Sequence, residues 1–218
     1  MPIQYKNTEW NSKKVIIGET ELDREGPVNL LIGFHGADST PENMLIHGNR
    51  LKVHNTVLIF PEGPVDAGKG LWSWWTDGPR QEVTVQGFLD YTKGIIDQAL
   101  DYIIPKVPEN RIRTCLWGFS QGGAASLVYA LMGSHPIHKV ASICGFLPEI
   151  SAPKNPPQKP ATILGVYGLN DEVVPAFLAE YALDEMKNQG HPLTVRETDQ
   201  GHEVKSKNLQ EVSDFFNV

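Results

Sequence analysis

The stretch that decides the fold runs from Leu116 to Ser126: Leu116-Trp117-Gly118-Phe119-Ser120-Gln121-Gly122-Gly123-Ala124-Ala125-Ser126. An apolar run, 113–119, leads into a serine flanked by Gly118 and Gly122, and a helix-compatible run, 122–133, follows at once. Strand, sharp turn, helix is the setting in which G-x-S-x-G forms a nucleophile elbow, with the serine hydroxyl lifted above the sheet. Such a turn leaves no room for side chains beside the serine, which explains glycine on either side of it. The alternative is a serine in a flexible glycine turn. The rest of the chain separates the two by whether it supplies a base, an acid and a place for negative charge.

Working outward, short apolar or β-branched runs recur at 15–17, 28–34, 56–60, 139–144, 162–168 and 193–198. Several are apolar throughout, as expected of parallel strands buried on both faces. Helix-length segments lie between them. In 82–104, Phe88, Tyr91, Ile95, Ala99, Tyr102 and Ile103 recur at spacings near a helical turn. Segment 175–190 opens on Pro175 and closes on Gly190, and a last helix falls within 205–216. This alternation predicts an open, mostly parallel sheet with helices on both faces, in one domain over 1–218. The proline-rich 151–160 reads as a surface loop ahead of a strand.

Composition narrows the function classes. With 218 residues, 40% hydrophobic and 21% charged, the chain suits a soluble globular protein. A net charge of −7 with no basic stripe argues against nucleic acid and anionic membrane surfaces as partners. No apolar run approaches the ~20 residues that span a bilayer, and the opening residues lack a signal peptide's form. Cys115 and Cys144, both in apolar runs, are expected to be buried free thiols in a reducing, cytoplasmic setting. No Cys or His cluster has metal-ligand spacing, so no metal is expected.

A serine hydroxyl needs a base. In an elbow fold the chain order is nucleophile, acid, histidine, which leaves His135, His138, His191 and His202. His135 and His138 come too early, and His191 precedes strand 193–198 at its amino end. His202 follows that strand, at the carboxyl edge where ligands sit. The acid belongs after strand 162–168, where Asp171 stands with Glu172 beside it as a neighbouring competitor; Asp199, near His202, is a decoy against which chain order favours Asp171. Negative charge on a reacting carbonyl requires fixed N–H donors. The Gln121 N–H at the helix start supplies one, and the Ala37 N–H, in the turn after strand 28–34, a second. His35 reads as a residue that fixes that turn.

These segments resemble the carboxylesterase/phospholipase group of α/β-hydrolases that includes the acyl-protein thioesterases. The resemblance rests on His35-Gly36-Ala37-Asp38, on 110–123 with GFSQGG, on 142–148, on 168–175 and on Gly201-His202, and runs from about 28 to 216. Ala37 and Asp38 stand where that group has leucine and glycine. The resemblance implies an α/β-hydrolase fold and cofactor-free cleavage of carboxylic esters or thioesters.

Trp72, Trp74 and Trp75 fall within 70–80, between glycine and proline. They are read as walls or rim of an acyl pocket, with Phe146 and Leu147 as partners; plain core packing is the competing reading. Little chain is left for a large lid. The whole predicts a serine esterase acting on short to medium acyl chains: Ser120 attacks, His202 moves the proton, Asp171 orients. The substrate would be a small ester or thioester, with no stable membrane association. An acyl-protein thioesterase or lysophospholipase, and a non-catalytic ligand receptor on the same fold, are the alternatives.

Overall fold

The computed structural model describes residues 3–23, 25–78, 81–150 and 159–218. In chain order the elements are β1 (Gln4–Trp10), β2 (Lys13–Glu19), β3 (Val28–Phe34), α1 (Pro41–Gly48), β4 (Thr56–Pro61), β5 (Val65–Gly68) and β6 (Leu71–Ser73). They continue with α2 (Gln81–Ile103), β7 (Ile112–Phe119), α3 (Gln121–Met132), β8 (Lys139–Ile143), β9 (Thr162–Gly168), α4 (Ala176–Asn188), β10 (Leu193–Thr198) and α5 (Ser206–Asn217). The proline-rich stretch lies outside the described residues from 151 to 158.

One sheet has the order β1-β2-β4-β3-β7-β8-β9-β10. β1 and β2 are antiparallel to each other, and β2 to β4. From β4 to β10 every pairing is parallel. β3 lies between β4 and β7 and is buried at all seven positions, as its apolar run, interrupted only by Asn29, leads one to expect. Its side chains divide between two cores. Val28, Leu30, Ile32 and Phe34 face the cluster built by α2, α3 and α4, and Leu31 faces the cluster that includes Met44 of α1 and Leu209, Val212 and Phe216 of α5. The expected helices on both faces are therefore present, and α2 turns Val85, Phe88, Ile95, Ala99 and Ile103 inward as its period demands.

β1, α1 and the short β5–β6 pair were not anticipated from the sequence. β1 is mostly polar and exposed, an edge strand whose pairing in the sheet is with β2. Its hairpin turns on Asn11 and Ser12, both at positive φ (52° and 60°), the geometry that matches strand twist in a two-residue loop. α1 begins at Thr40, whose side chain accepts from the Asn43 N–H at 3.3 Å, with Pro41 at the first turn. The Thr-Pro start signal was in the sequence, but eight residues hold too short a period to stand out.

Among the described residues, no helix is long and apolar enough to cross a membrane.

Candidate active site

β7 ends at Phe119, and the chain turns through Ser120 into α3. Ser120 has φ 57° and ψ −124°, a region in which an L-residue is strained. Neighbours hold it there: its N–H donates to Ile143 O at 2.9 Å, and its carbonyl accepts from the Ala124 N–H at 2.9 Å. The flanking glycines are required by contact. A Cβ on Gly118 would stand 2.3 Å from the Gly122 carbonyl, and one on Gly122 would stand 2.0 Å from Phe34 O. α3 then runs back under the turn with Gln121 to Leu131 buried.

His202, in the loop after β10, reaches across to this turn. Its Nε2 lies 2.9 Å from Ser120 Oγ, and its Nδ1 lies 2.8 Å from Asp171 Oδ2. Because Asp171 has only acceptor atoms when ionised, Nδ1 carries the proton and Nε2 is left to accept from Ser120 Oγ–H. Asp171, in the loop after β9, is buried, and its Oδ1 accepts from the N–H groups of Val173 and Val174 at 2.9 and 2.8 Å. Burial pushes the Asp171 carboxyl up. The hydrogen bonds from His202, Val174 and Val173 and the His202 charge outweigh it and hold the carboxyl below its usual range. Glu172 and Asp199 are exposed, so of the three carboxylates named from the sequence the structure brings Asp171 to the imidazole.

Three other histidines, His135, His191 and His35, are hydrogen-bonded to other groups. His135 bridges Tyr129 and Asp97, each at 2.9 Å, and buried His191 approaches Ala161 O at 3.0 Å. His35 is buried, with Nδ1 at 2.7 Å from Gly36 O and Nε2 accepting from the Gly63 N–H at 3.2 Å. Burial lowers its pKa to about 4, so it ties the β3 turn as a neutral ring. Both cysteines are free and buried. Cys144 Sγ stands close behind Asp171 and His202, their nearest ligand atoms all within 4.8 Å of one another. Burial, and then the Asp171 charge, raise this thiol to about 12, so it stays protonated.

Ser120 and His202 open into a cleft of about 410 Å³, lined also by Ala37, Asp38, Met44, His47, Phe119 and Val173. Ala37 is exposed in the turn after β3, beside Ser120 in this lining. Gln121 is buried at the first turn of α3, and its side chain is spent on the loop before α2, accepting from the Trp74 N–H at 2.9 Å and donating to Trp75 O at 3.1 Å. A larger depression of about 1060 Å³ includes Asn29 and Arg113, at the amino ends of β3 and β7, and none of the three aligned residues. Ligand chemistry in parallel sheets belongs at the carboxyl ends, where the smaller cleft lies.

The acyl-wall reading of the tryptophans is corrected here. Trp74 and Trp75 are 0% and 1% exposed. Phe34 meets Trp74 edge-on at 4.8 Å and Phe88 meets Trp75 at 5.4 Å, while Trp74 Nε1–H donates to His35 O at 2.7 Å. Edge-to-face aromatic packing lets α2 and β3 absorb rings that looked too crowded for a core. Trp72 is half-buried with Lys13 Nζ 3.3 Å from its ring centre, a cation–π contact. Phe146 and Leu147 are partly buried against the main core. None of the five is among the residues lining the cleft. Its apolar surface comes instead from Met44, Phe119 and Val173, and the Phe119 ring lies 4.8 Å from that of His202. Met44 and His47 were missed with α1, which carries them.

Residues 18–218 match the phospholipase/carboxylesterase family. The chain belongs to that family. Among its curated relatives, acyl-protein thioesterase 1 of Mycosarcoma maydis is 33% identical over 87 residues, a stretch covering 38% of this chain and 35% of the relative. The aligned region thus spans about a third of that relative's length. Among solved structures, the carboxylesterase of Bacillus cereus superposes with a TM-score of 0.76 over 94% of each chain at 15% identity. Arabidopsis thaliana SOBER1 superposes with a TM-score of 0.70 at 23% identity, over 87% of this chain and 98% of its own. At such identities the likeness is one of fold, and the fold of this family member is the α/β-hydrolase fold.

Proposed function

We propose that this protein is a serine hydrolase that cleaves carboxylic esters of short to medium acyl chain through an acyl-enzyme. The observation that carries the reading is the continuous hydrogen-bonded line Ser120 Oγ, His202, Asp171, at 2.9 and 2.8 Å. Ser120 Oγ attacks the ester carbonyl carbon as His202 Nε2 takes its proton. Negative charge on the carbonyl oxygen is met by the N–H groups of Gln121 and Ala37. His202 then returns the proton to the leaving oxygen, the alcohol departs, and the acyl group stays on Ser120. A water attacks the acyl carbon, giving its proton to Nε2, and the acid leaves as Ser120 Oγ is reprotonated. Asp171, kept ionised, holds the ring's orientation and supports its cationic form.

The cleft has modest volume and opens beside exposed residues, which suits small substrates rather than bulk lipid. Thioester cleavage, with the similarity to the Mycosarcoma maydis thioesterase behind it, is the second reading. A non-catalytic receptor is disfavoured because it gives no reason to maintain strain at Ser120 beside an aligned imidazole. We take the whole chain as a single domain acting in the cytoplasm, where two buried free thiols are stable.

A fluorophosphonate probe tests the reading. It should add once, at Ser120, and Ser120→Ala should lose both adduct and turnover of p-nitrophenyl butyrate. Adduct on the alanine variant, seen by intact mass, would overturn the assignment.

A further inference from the structure

Asp38 is the one acidic residue of the turn after β3, and ester hydrolysis supplies no role for its carboxylate. It follows Ala37 on the rim of the cleft that contains Ser120, and it is exposed there. Its backbone sits at φ 50°, in the left-handed region, and Ser73 ties it twice. The Asp38 N–H donates to Ser73 Oγ at 2.9 Å, and Ser73 Oγ–H donates to Asp38 Oδ1 at 2.9 Å. Ser73 is itself buried, so the carboxylate is anchored at the cleft mouth rather than free to swing into solvent.

Among the described residues, no lysine or arginine lines this cleft. Its other ionisable groups are His35, His47 and His202. Burial holds His35 well down, and burial together with the Arg50 charge lowers His47, so both rings are uncharged at neutral pH. The cations on elements around the cleft are engaged: Arg50 with Ser206, Lys13 with Glu62 at 3.6 Å, and Lys14 with Glu42. Among the described residues, none forms an ion pair with Asp38. Among the described residues that line the cleft, Asp38 is therefore the one fixed charge at its mouth, and it is negative.

We propose that Asp38 sorts substrates by charge, admitting esters with a cationic or neutral group beside the scissile bond and disfavouring those with a carboxylate, sulfonate or phosphate there. This rests on the ester-hydrolase reading above and adds the substrate's charge class to it. The physical basis is Coulomb interaction across several ångströms at the mouth of a partly desolvated cleft. It amounts to roughly threefold in rate per unit charge, about tenfold between a cation and an anion.

The test uses three butyrate esters of matched size, with trimethylammonioethyl, 3,3-dimethylbutyl and 2-sulfoethyl alcohols, and reads kcat/KM in parent, Asp38→Asn and Ser73→Ala. Comparing variant with parent cancels the intrinsic reactivity of each ester, and any loss common to all three cancels in the cation-to-anion ratio. That ratio should fall about tenfold in Asp38→Asn, whereas Ser73→Ala, which keeps the charge and loses the tether, should retain most of it. In the parent the ratio should contract as salt is raised. An equal ratio in parent and Asp38→Asn would overturn the charge reading alone. So would a fall in Ser73→Ala as large as in Asp38→Asn, since loop shape rather than charge would then set the ratio. Absence of turnover on the neutral ester by the parent would overturn the hydrolase reading, and this one with it.

Discussion

Gly122 and Phe34 touch so closely that a methyl group on Gly122 would lie 2.0 Å from the Phe34 carbonyl oxygen. The contact joins the start of α3 to the end of β3, and through it the serine turn to the loop that carries Ala37. It is backbone against backbone, so no side-chain rearrangement relieves it. Gly122→Ala should separate α3 from β3 and cost about 1–3 kcal/mol or more of stability. Turnover should fall further than stability does, because the shift moves Ser120 Oγ away from His202 Nε2. Urea denaturation alongside kcat/KM at a temperature where the variant is folded checks both. An active, equally stable variant would mean the contact is looser than it stands.

The acid can be tested by three substitutions side by side. Asp171→Asn keeps the shape but loses the charge that supports the imidazolium and selects its tautomer, so kcat should fall on the order of 10²–10⁴ with KM little changed. Glu172→Gln and Asp199→Asn alter exposed carboxylates screened by solvent, and each should stay within about tenfold of the parent. Melting temperatures exclude unfolding as the cause. A crippled Asp199→Asn would show that the wrong carboxylate has been assigned.

His35 makes stability depend on pH. Its pKa is lowered from 6.5 to about 4 by burial, so the unfolded chain binds the proton more readily than the folded one. The contribution is fully present above the unfolded value of 6.5 and is lost as pH falls toward about 4. At ~1.4 kcal/mol per unit, up to about 3 kcal/mol is at stake across that window. His35→Gln, which retains an acceptor for the Gly63 N–H, should flatten unfolding free energy between those limits. Chemical denaturation at pH 7 and pH 5 reads the difference. A slope as steep in the variant would assign the acid sensitivity to other groups.

The sequence by itself determined the βα alternation, because buried parallel strands leave unbroken apolar runs and surface helices leave a helical period. It also singled out Ser120 and His202 and, for the acid, the loop after strand 162–168 that carries Asp171, since chain order and strand ends specify which side of a parallel sheet each loop joins. Local chemistry was enough there: glycine where backbone crowds, and aspartate and histidine in loops at carboxyl ends. The fate of Trp74 and Trp75 was decided only by the tertiary structure. Whether a ring walls a cleft or fills a core depends on partners such as Phe34 and Phe88, which lie far away in sequence and approach edge-on only once β3 and α2 have packed. The same holds for the apolar lining of the cleft, where Met44 is carried by a helix of eight residues, too short to declare its period. Choosing Asp171 over its neighbour Glu172 was likewise a matter of direction, because adjacent side chains in a loop point different ways and composition does not encode which one meets the imidazole.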